Sequence, residues 1–212
     1  MEGEDRMTTV YLIRHSIPFK EHRGINNSSL SLLEQNITVP LSIEGEKLAD
    51  SISNNNEYKN IDTIWSSDYS RALSTAKYFA FKNNQKVNIS SSFNERIHGV
   101  NLWSELPIDF EEKQLKDENY KINNGESQID VRKRMLNELY KVINENKDKR
   151  IIIVGHATAF TFLLKEWCKI DGNKIFYNDL EIFNGIWNYC ETFKLTFDSN
   201  NHLNAIKNIK NL

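Results

Sequence analysis

Two stretches of the chain share one plan. Val10-Tyr11-Leu12-Ile13 runs into Arg14-His15-Ser16, and Ile151-Ile152-Ile153-Val154 runs into Gly155-His156-Ala157. In each, an apolar run ends at a histidine followed by a small residue. Four residues of Val, Ile, Leu and Tyr type suit a strand buried on both faces of a parallel sheet. Ligands of such sheets collect at the carboxyl ends of the strands. The two histidines, one flanked by an arginine, are therefore expected at one rim of one sheet. An arginine fork matches phosphate oxygens, and a neutral imidazole is a competent nucleophile. The chemistry that fits is the holding of an anion and attack upon it.

Two more segments carry chemically able residues. From Trp65 to Ala76 the pattern is again strand, turn and helix, with Arg71 in the first helical turn. A cation is mildly unfavourable there against the helix dipole, so its presence suggests an anion bound jointly by the arginine and free backbone N–H groups. Asn94-Glu95-Arg96-Ile97-His98-Gly99 places a carboxyl in an irregular segment after a strand. Glu95 suits a general acid where a bound anion favours its protonated form. Taken singly, each feature has a plainer reading. Arg71 is then a surface arginine, Glu95 and Arg96 a solvated ion pair, and His156 a core residue capping a sheet.

The elements that must position these residues follow from periodicity. After the first strand, residues 16–40 show no sustained period and read as a long loop, a kind that is usually functional. Ser42 is a candidate N-cap, with Glu44 and Glu46 in the first turn of the helix it opens. Ile61–Trp65 reads as a strand, Ser70–Phe81 as a helix and Val87–Ile89 as a strand. Residues 94–124 are charged and irregular. Ser127 and Asp130 suggest a capping box for a helix reaching about Asn144, with Ile129, Met135, Leu136, Leu139 and Ile143 at helical spacing. A helix from about Thr158 to Cys168 follows the second histidine. Asn188–Phe197 and His202–Ile209 read as two late strands joined by a turn. Strands alternating with helices give an α/β sandwich.

The chain has 212 residues, 39% of them hydrophobic, which suffices for one large domain with a sizeable core. A net charge of −2 argues against general nucleic-acid binding. No apolar run is long enough for a membrane span, and residues 1–9 lack the apolar centre of a signal peptide. Cys168 and Cys190 make neither a disulfide framework nor a metal cluster. They read as reduced thiols in a cytoplasmic protein.

Taken in order, these segments resemble the histidine phosphatase superfamily, the phosphoglycerate mutase-like family. Arg14-His15-Ser16 is similar to its Arg-His-Gly signature, with serine for glycine. Pro40-Leu41-Ser42-Ile43-Glu44-Gly45 resembles its Pro-Leu-Thr…Gly segment, and Ser66 to Ala72 its Ser-Ser-x-x-x-Arg-Ala segment. Asn94-Glu95-Arg96…Gly99 resembles the segment carrying its acid. Gly125-Glu126-Ser127 matches a motif before a helix, and Gly155-His156-Ala157 the second-histidine segment. The resemblance runs from residue 9 to about 190.

The resemblance implies a three-layer α/β/α sandwich with a mostly parallel central sheet. It implies one domain over 1–212, with 1–8 disordered and with 16–40 and 97–124 covering the site. It implies a metal-independent phosphomonoester hydrolase without a cofactor, acting on a small phosphorylated metabolite through a phosphohistidine. His15 would be the nucleophile and Glu95 the acid. Arg14, Arg71 and His156 would cradle the phosphoryl oxygens, with His156 at least partly protonated when phosphate is bound. Positions where the family often has Thr and Asn carry Pro18 and Glu21 here. A carboxylate at Glu21 would repel phosphate, and His22 or Arg23 would then take over that contact.

Alternatives are a phosphoglycerate mutase-type phosphotransferase and a non-catalytic phospho-ligand-binding member. Mutases of the family use paired arginines in a longer insertion, whereas residues 100–124 hold no arginine, only Lys113, Lys116 and Lys121. That favours the phosphatase branch. Trp103, Phe110 and Tyr120 either face an apolar leaving group or close the core. The partner expected is a small phosphorylated substrate, with no nucleic acid and no membrane. The late strands offer an edge for a homodimer.

Overall fold

The computed structural model describes residues 7–19 and 30–211. A six-stranded sheet forms its middle layer. Its strands are β1 (Thr8–Arg14), β2 (Thr63–Ser66), β3 (Val87–Ile89), β4 (Arg150–Gly155), β8 (Thr192–Phe197) and β9 (Leu203–Ile209). Across the sheet they run in the order β3-β2-β4-β1-β8-β9. The first four are mutually parallel, and β8 and β9 are added antiparallel. Strand β1 pairs with β4 in the register Thr9↔Arg150 to Arg14↔Gly155. Arg14 and Gly155 therefore leave the sheet side by side, and the histidine after each falls at the same rim.

Alternation along the strands divides the core into two halves. Val10, Leu12, Ile151 and Ile153 point to one face, against helices α5 (Gln128–Glu145) and α6 (Ala157–Leu164). Tyr11, Ile13, Ile152 and Val154 point to the other. There they meet α2 (Ile43–Ser53) and α3 (Ser70–Asn83). All eight are fully buried. Cutting one such side chain back to alanine costs on the order of 2–5 kcal/mol. The result is the three-layer α/β/α sandwich with a mostly parallel sheet expected from the sequence.

Several boundaries and elements differ from the sequence reading. Strand β1 begins at Thr8, inside the segment 1–8 expected to be disordered, because Thr8 pairs with Phe197 and is buried. The expected loop 16–40 contains helix α1 (Leu32–Thr38), opened by a capping box in which Ser31 and Glu34 exchange hydrogen bonds. Residues 94–124 contain α4 (Phe110–Lys116), which turns Phe110 and Gln114 inward. Helix α6 stops at Leu164 rather than Cys168, and β8 begins at Thr192 rather than Asn188. Between them lies a second, three-stranded antiparallel sheet with no counterpart in the sequence reading. It comprises β5 (Lys169–Asp171), β6 (Lys174–Tyr177) and β7 (Leu180–Asn184). Its Ile175 and Phe183 join the same apolar cluster as Val10 and Leu12.

Helix α2 packs tightly on the turn after β1. A Cβ at Gly45 would lie 2.1 Å from the Ile17 carbonyl oxygen, so only glycine fits. The close approach lets Ser16 Oγ donate to the Gly45 carbonyl at 2.7 Å, while the Ser16 N–H donates to Thr75 Oγ1 at 2.9 Å. The backbone carrying His15 is thereby tied to α2 and α3 together.

Candidate active site

His15, Arg71 and His156 meet at the carboxyl rim of the sheet. Arg71 is 1% exposed and His156 fully buried, and both are held from several sides. The His15 Nδ1 lies 2.7 Å from the Ser16 carbonyl oxygen, an acceptor only, so Nδ1 carries the proton. Nε2 is then the lone-pair nitrogen. Arg71 Nε donates to it at 3.1 Å, and Arg71 Nη2 faces His156 Nδ1, also at 3.1 Å. The guanidinium bridges the two imidazoles, whose ring centres are 5.3 Å apart.

The tautomer of His156 follows from its neighbours. The Asp68 N–H donates to Asn94 Oδ1 at 3.1 Å, which fixes that atom as oxygen. Ser67 Oγ lies 2.7 Å from the same oxygen and must donate to it. The one hydroxyl proton being used, Ser67 Oγ accepts from His156 Nε2 at 2.9 Å. His156 thus carries its proton on Nε2 and turns the Nδ1 lone pair to Arg71. Tyr69 packs its ring edge on His156 at 5.0 Å and under the Arg71 guanidinium at 5.1 Å. Burial pushes the Tyr69 hydroxyl up to about 12, so it remains neutral beside the imidazole.

Arg14 approaches from β1. Its guanidinium stands over the Tyr189 ring at 4.4 Å, and Nη1 donates to the Trp187 carbonyl. Tyr189 also lies 6.2 Å from the His15 ring. The segment before β8 therefore supplies two residues to the site that periodicity did not mark.

Glu95 sits at the first turn of α6, the helix capped by His156. Its Oε1 accepts from the Ala159 N–H at 3.0 Å and from the Arg96 N–H at 2.9 Å. A clamp from α5 holds its loop. Arg134 binds both oxygens of Glu126, at 2.6 and 2.9 Å, and also donates to the carbonyls of Ser92 and Glu95. Glu126 Oε2 in turn accepts from the Ile97 N–H at 3.0 Å. The Gly125-Glu126-Ser127 segment thus holds the Glu95 loop from one side and caps α5 from the other, where Ser127 accepts from the Asp130 N–H.

Residues 97–124 carry several ion pairs. Lys113 pairs with Asp109, Lys116 with Glu112 and Lys121 with Asp130, all on the surface. Phe110 closes the core, Tyr120 packs on it at 5.7 Å, and Trp103 is about half exposed against His98. Burial, with Arg96 second, pushes the His98 imidazole down to about 4. Glu21, His22 and Arg23 lie outside the described residues. Pro18 forms an isolated antiparallel bridge with Leu41. Among the described residues no group of three or more His, Cys, Asp or Glu could hold a metal ion. Among them, too, no helix is long and apolar enough to cross a membrane.

A family model described as the histidine phosphatase superfamily (branch 1) matches residues 10–201. No curated protein matches the chain in sequence. Solved structures share its fold. One, described as mycobacterial hydrolase 1, is 16% identical at TM-score 0.70, covering 97% of this chain and all of that one. Mycobacterial glucosyl-3-phosphoglycerate phosphatase complexed with VO3 is 16% identical at TM-score 0.69, covering 94% of this chain and 98% of its own. A mutant phosphoserine phosphatase from Entamoeba histolytica, in complex with phosphoserine, is 19% identical at TM-score 0.65, covering 97% and 99%.

Proposed function

Because the chain belongs to the histidine phosphatase superfamily, we propose that it hydrolyses phosphomonoesters without a metal, through a phosphohistidine on His15. The observation that carries this reading is Arg71 bridging His15 Nε2 and His156 Nδ1. A phosphoryl group arriving at this bridge would draw the Arg71 N–H donors onto its oxygens and so uncover the His15 Nε2 lone pair for attack.

In the first step His15 Nε2 attacks phosphorus in line with the ester oxygen. The N–P bond forms as the P–O bond breaks, and Glu95 gives its proton to the departing alkoxide. Arg14 and Arg71 hold the equatorial oxygens, joined by His156 once a proton on Nδ1 makes it a donor there, and negative charge spreads over these oxygens in the transition state. In the second step the Glu95 carboxylate takes a proton from water. The hydroxide attacks phosphorus, the N–P bond breaks, and phosphate leaves. The Ser16 carbonyl keeps the proton of His15 on Nδ1 throughout, so the lone pair stays on Nε2 for phosphorus once Arg71 turns to the phosphoryl oxygens.

The neighbouring structures described as glucosyl-3-phosphoglycerate phosphatase and phosphoserine phosphatase support hydrolysis over transfer. So does the pairing of all three cover lysines with carboxylates, because a mutase must keep cations for the substrate's own carboxylate. Retention of His15, Arg71, Glu95 and His156 together speaks against a silent binding member. The two cysteines are buried free thiols, in keeping with the cytoplasm as the place of action. Strand β9 ends the large sheet and offers its outer edge to a second copy.

The test is hydrolysis of 4-nitrophenyl phosphate in EDTA by wild type and by His15→Ala. Turnover in wild type, lost in the variant along with an acid-labile phosphoprotein, supports the reading. Turnover that survives His15→Ala, or that EDTA abolishes, overturns it.

A further inference from the structure

Beside the phosphoryl site lies a cavity of about 510 Å³, within the range that holds small-molecule ligands. It shares Arg14 and Ala157 with the rim that carries His15 and His156. One wall is α6, the helix whose first turn binds Glu95. A second wall is α4, drawn onto the acid loop by Arg96, which binds Glu111 and Gln114. The third wall is the small sheet β5-β6-β7 and the turn after it, which contribute Ile175, Phe183, Ile186 and Trp187. Resting on the proposed phosphatase reading, we infer that this cavity takes the alcohol part of the substrate, and that the substrate is the phosphate ester of a bulky, largely apolar alcohol.

Three observations carry the inference. First, the lining is aromatic and aliphatic where it is deepest, at Phe162, Phe183 and Trp187. Second, two large apolar side chains of the lining come from different elements and stay in solvent. Leu115 of α4 is 68% exposed, and Ile186, after β7, is 77% exposed. An apolar occupant would cover both and take their surface out of water. Third, the other cations on the walls are already neutralised. Arg96 is paired with Glu111 and Lys165 with Glu118. A carboxylate on the alcohol, as in a phospho-amino acid or phosphoglycerate, would meet Glu111 beside Arg96. A neutral acceptor is better placed, because the buried Arg96 Nε has no hydrogen-bond partner among the described residues.

Esters with alkyl leaving groups of similar basicity isolate the cavity from the chemistry. Wild type is compared on 2-phenylethyl phosphate, glycerol 2-phosphate and phosphoserine. The expected kcat/KM for the phenylethyl ester exceeds the other two by at least tenfold. In Ile186→Glu and in Thr161→Phe, which narrows the cavity from α6, the ratio of phenylethyl to glycerol ester falls at least fivefold. Leu180→Glu, an exposed change on β7 away from the cavity, leaves that ratio within twofold. A preference for phosphoserine, or a ratio that does not move in both cavity variants, overturns the inference. Calorimetry on His15→Ala provides the same comparison without turnover. Phenylethyl phosphate binding no more tightly than glycerol 2-phosphate there also overturns it. Loss of 4-nitrophenyl phosphate hydrolysis in wild type, by contrast, would strike the phosphatase reading itself.

Discussion

Arg71 Nε donates to His15 Nε2 at 3.1 Å, so the cation and the proposed nucleophile share one hydrogen bond across 56 residues of chain. The same guanidinium reaches His156 with Nη2. A planar fork reaches both with two separate nitrogens in fixed geometry, which the single nitrogen of an ammonium does not reproduce. Arg71→Lys is therefore expected to lower kcat by about 100-fold or more while keeping the charge. Steady-state kinetics on 4-nitrophenyl phosphate check this, and a loss under threefold would show that the bridge is not used.

Glu95→Gln tests proton delivery. Nitrophenolate leaves without a proton, whereas an alkoxide needs one. Removing the acid should therefore slow phenylethyl phosphate about 100-fold or more, and at least ten times more than it slows phosphorylation of the enzyme by 4-nitrophenyl phosphate. Burst kinetics separate that first step from hydrolysis of the phosphoenzyme. Equal losses on the two esters would remove Glu95 from the role of acid.

Arg134→Ala should release the acid loop. The side chain makes charged hydrogen bonds to Glu126 and to two loop carbonyls, and losing them costs about 2 kcal/mol. Urea unfolding should show that loss. The kcat should fall more than KM rises, because the pair positions Glu95 rather than touching phosphate. Unchanged kcat in a destabilised variant would confine Arg134 to a structural part.

His98 predicts an acid sensitivity. Its folded value is about 4 against an ordinary 6.5, because burial, then Arg96, disfavour the imidazolium. Between those values the unfolded chain binds a proton that the folded one refuses. Stability contributed by neutral His98 is therefore complete above 6.5 and is lost as pH falls toward 4. The melting temperature should drop through that window in wild type and less steeply in His98→Phe. Parallel curves would assign the acid sensitivity to other groups.

How much of this was legible depended on what each segment buries. Strands β1 and β4 announced themselves because Val10–Ile13 and Ile151–Val154 are buried on both faces and so are apolar throughout. Arg71 was visible because a cation in a first helical turn needs a reason. Helix α1 was not visible, because Leu32 is its one buried residue and a single position sets no period; the Ser31 and Glu34 pair was the signal available. The small sheet escaped because its strands span three to five residues, with Lys169, Lys174 and Glu181 exposed among them. Sequence could not show Tyr189 over Arg14, because that contact joins positions 175 residues apart through tertiary packing alone.

Strand β1 sits at the centre of the sheet, bonded on one side to β4 and on the other to β8. During synthesis it emerges before both neighbours and waits for Arg150–Gly155 and Thr192–Phe197 to pair its edges. Until then a run of Val, Tyr, Leu and Ile stays open to strangers, which is the condition that recruits chaperones. No nascent fragment ending before β4 can assemble the two histidines, so His15, the proposed nucleophile, is made long before the partner that arms it.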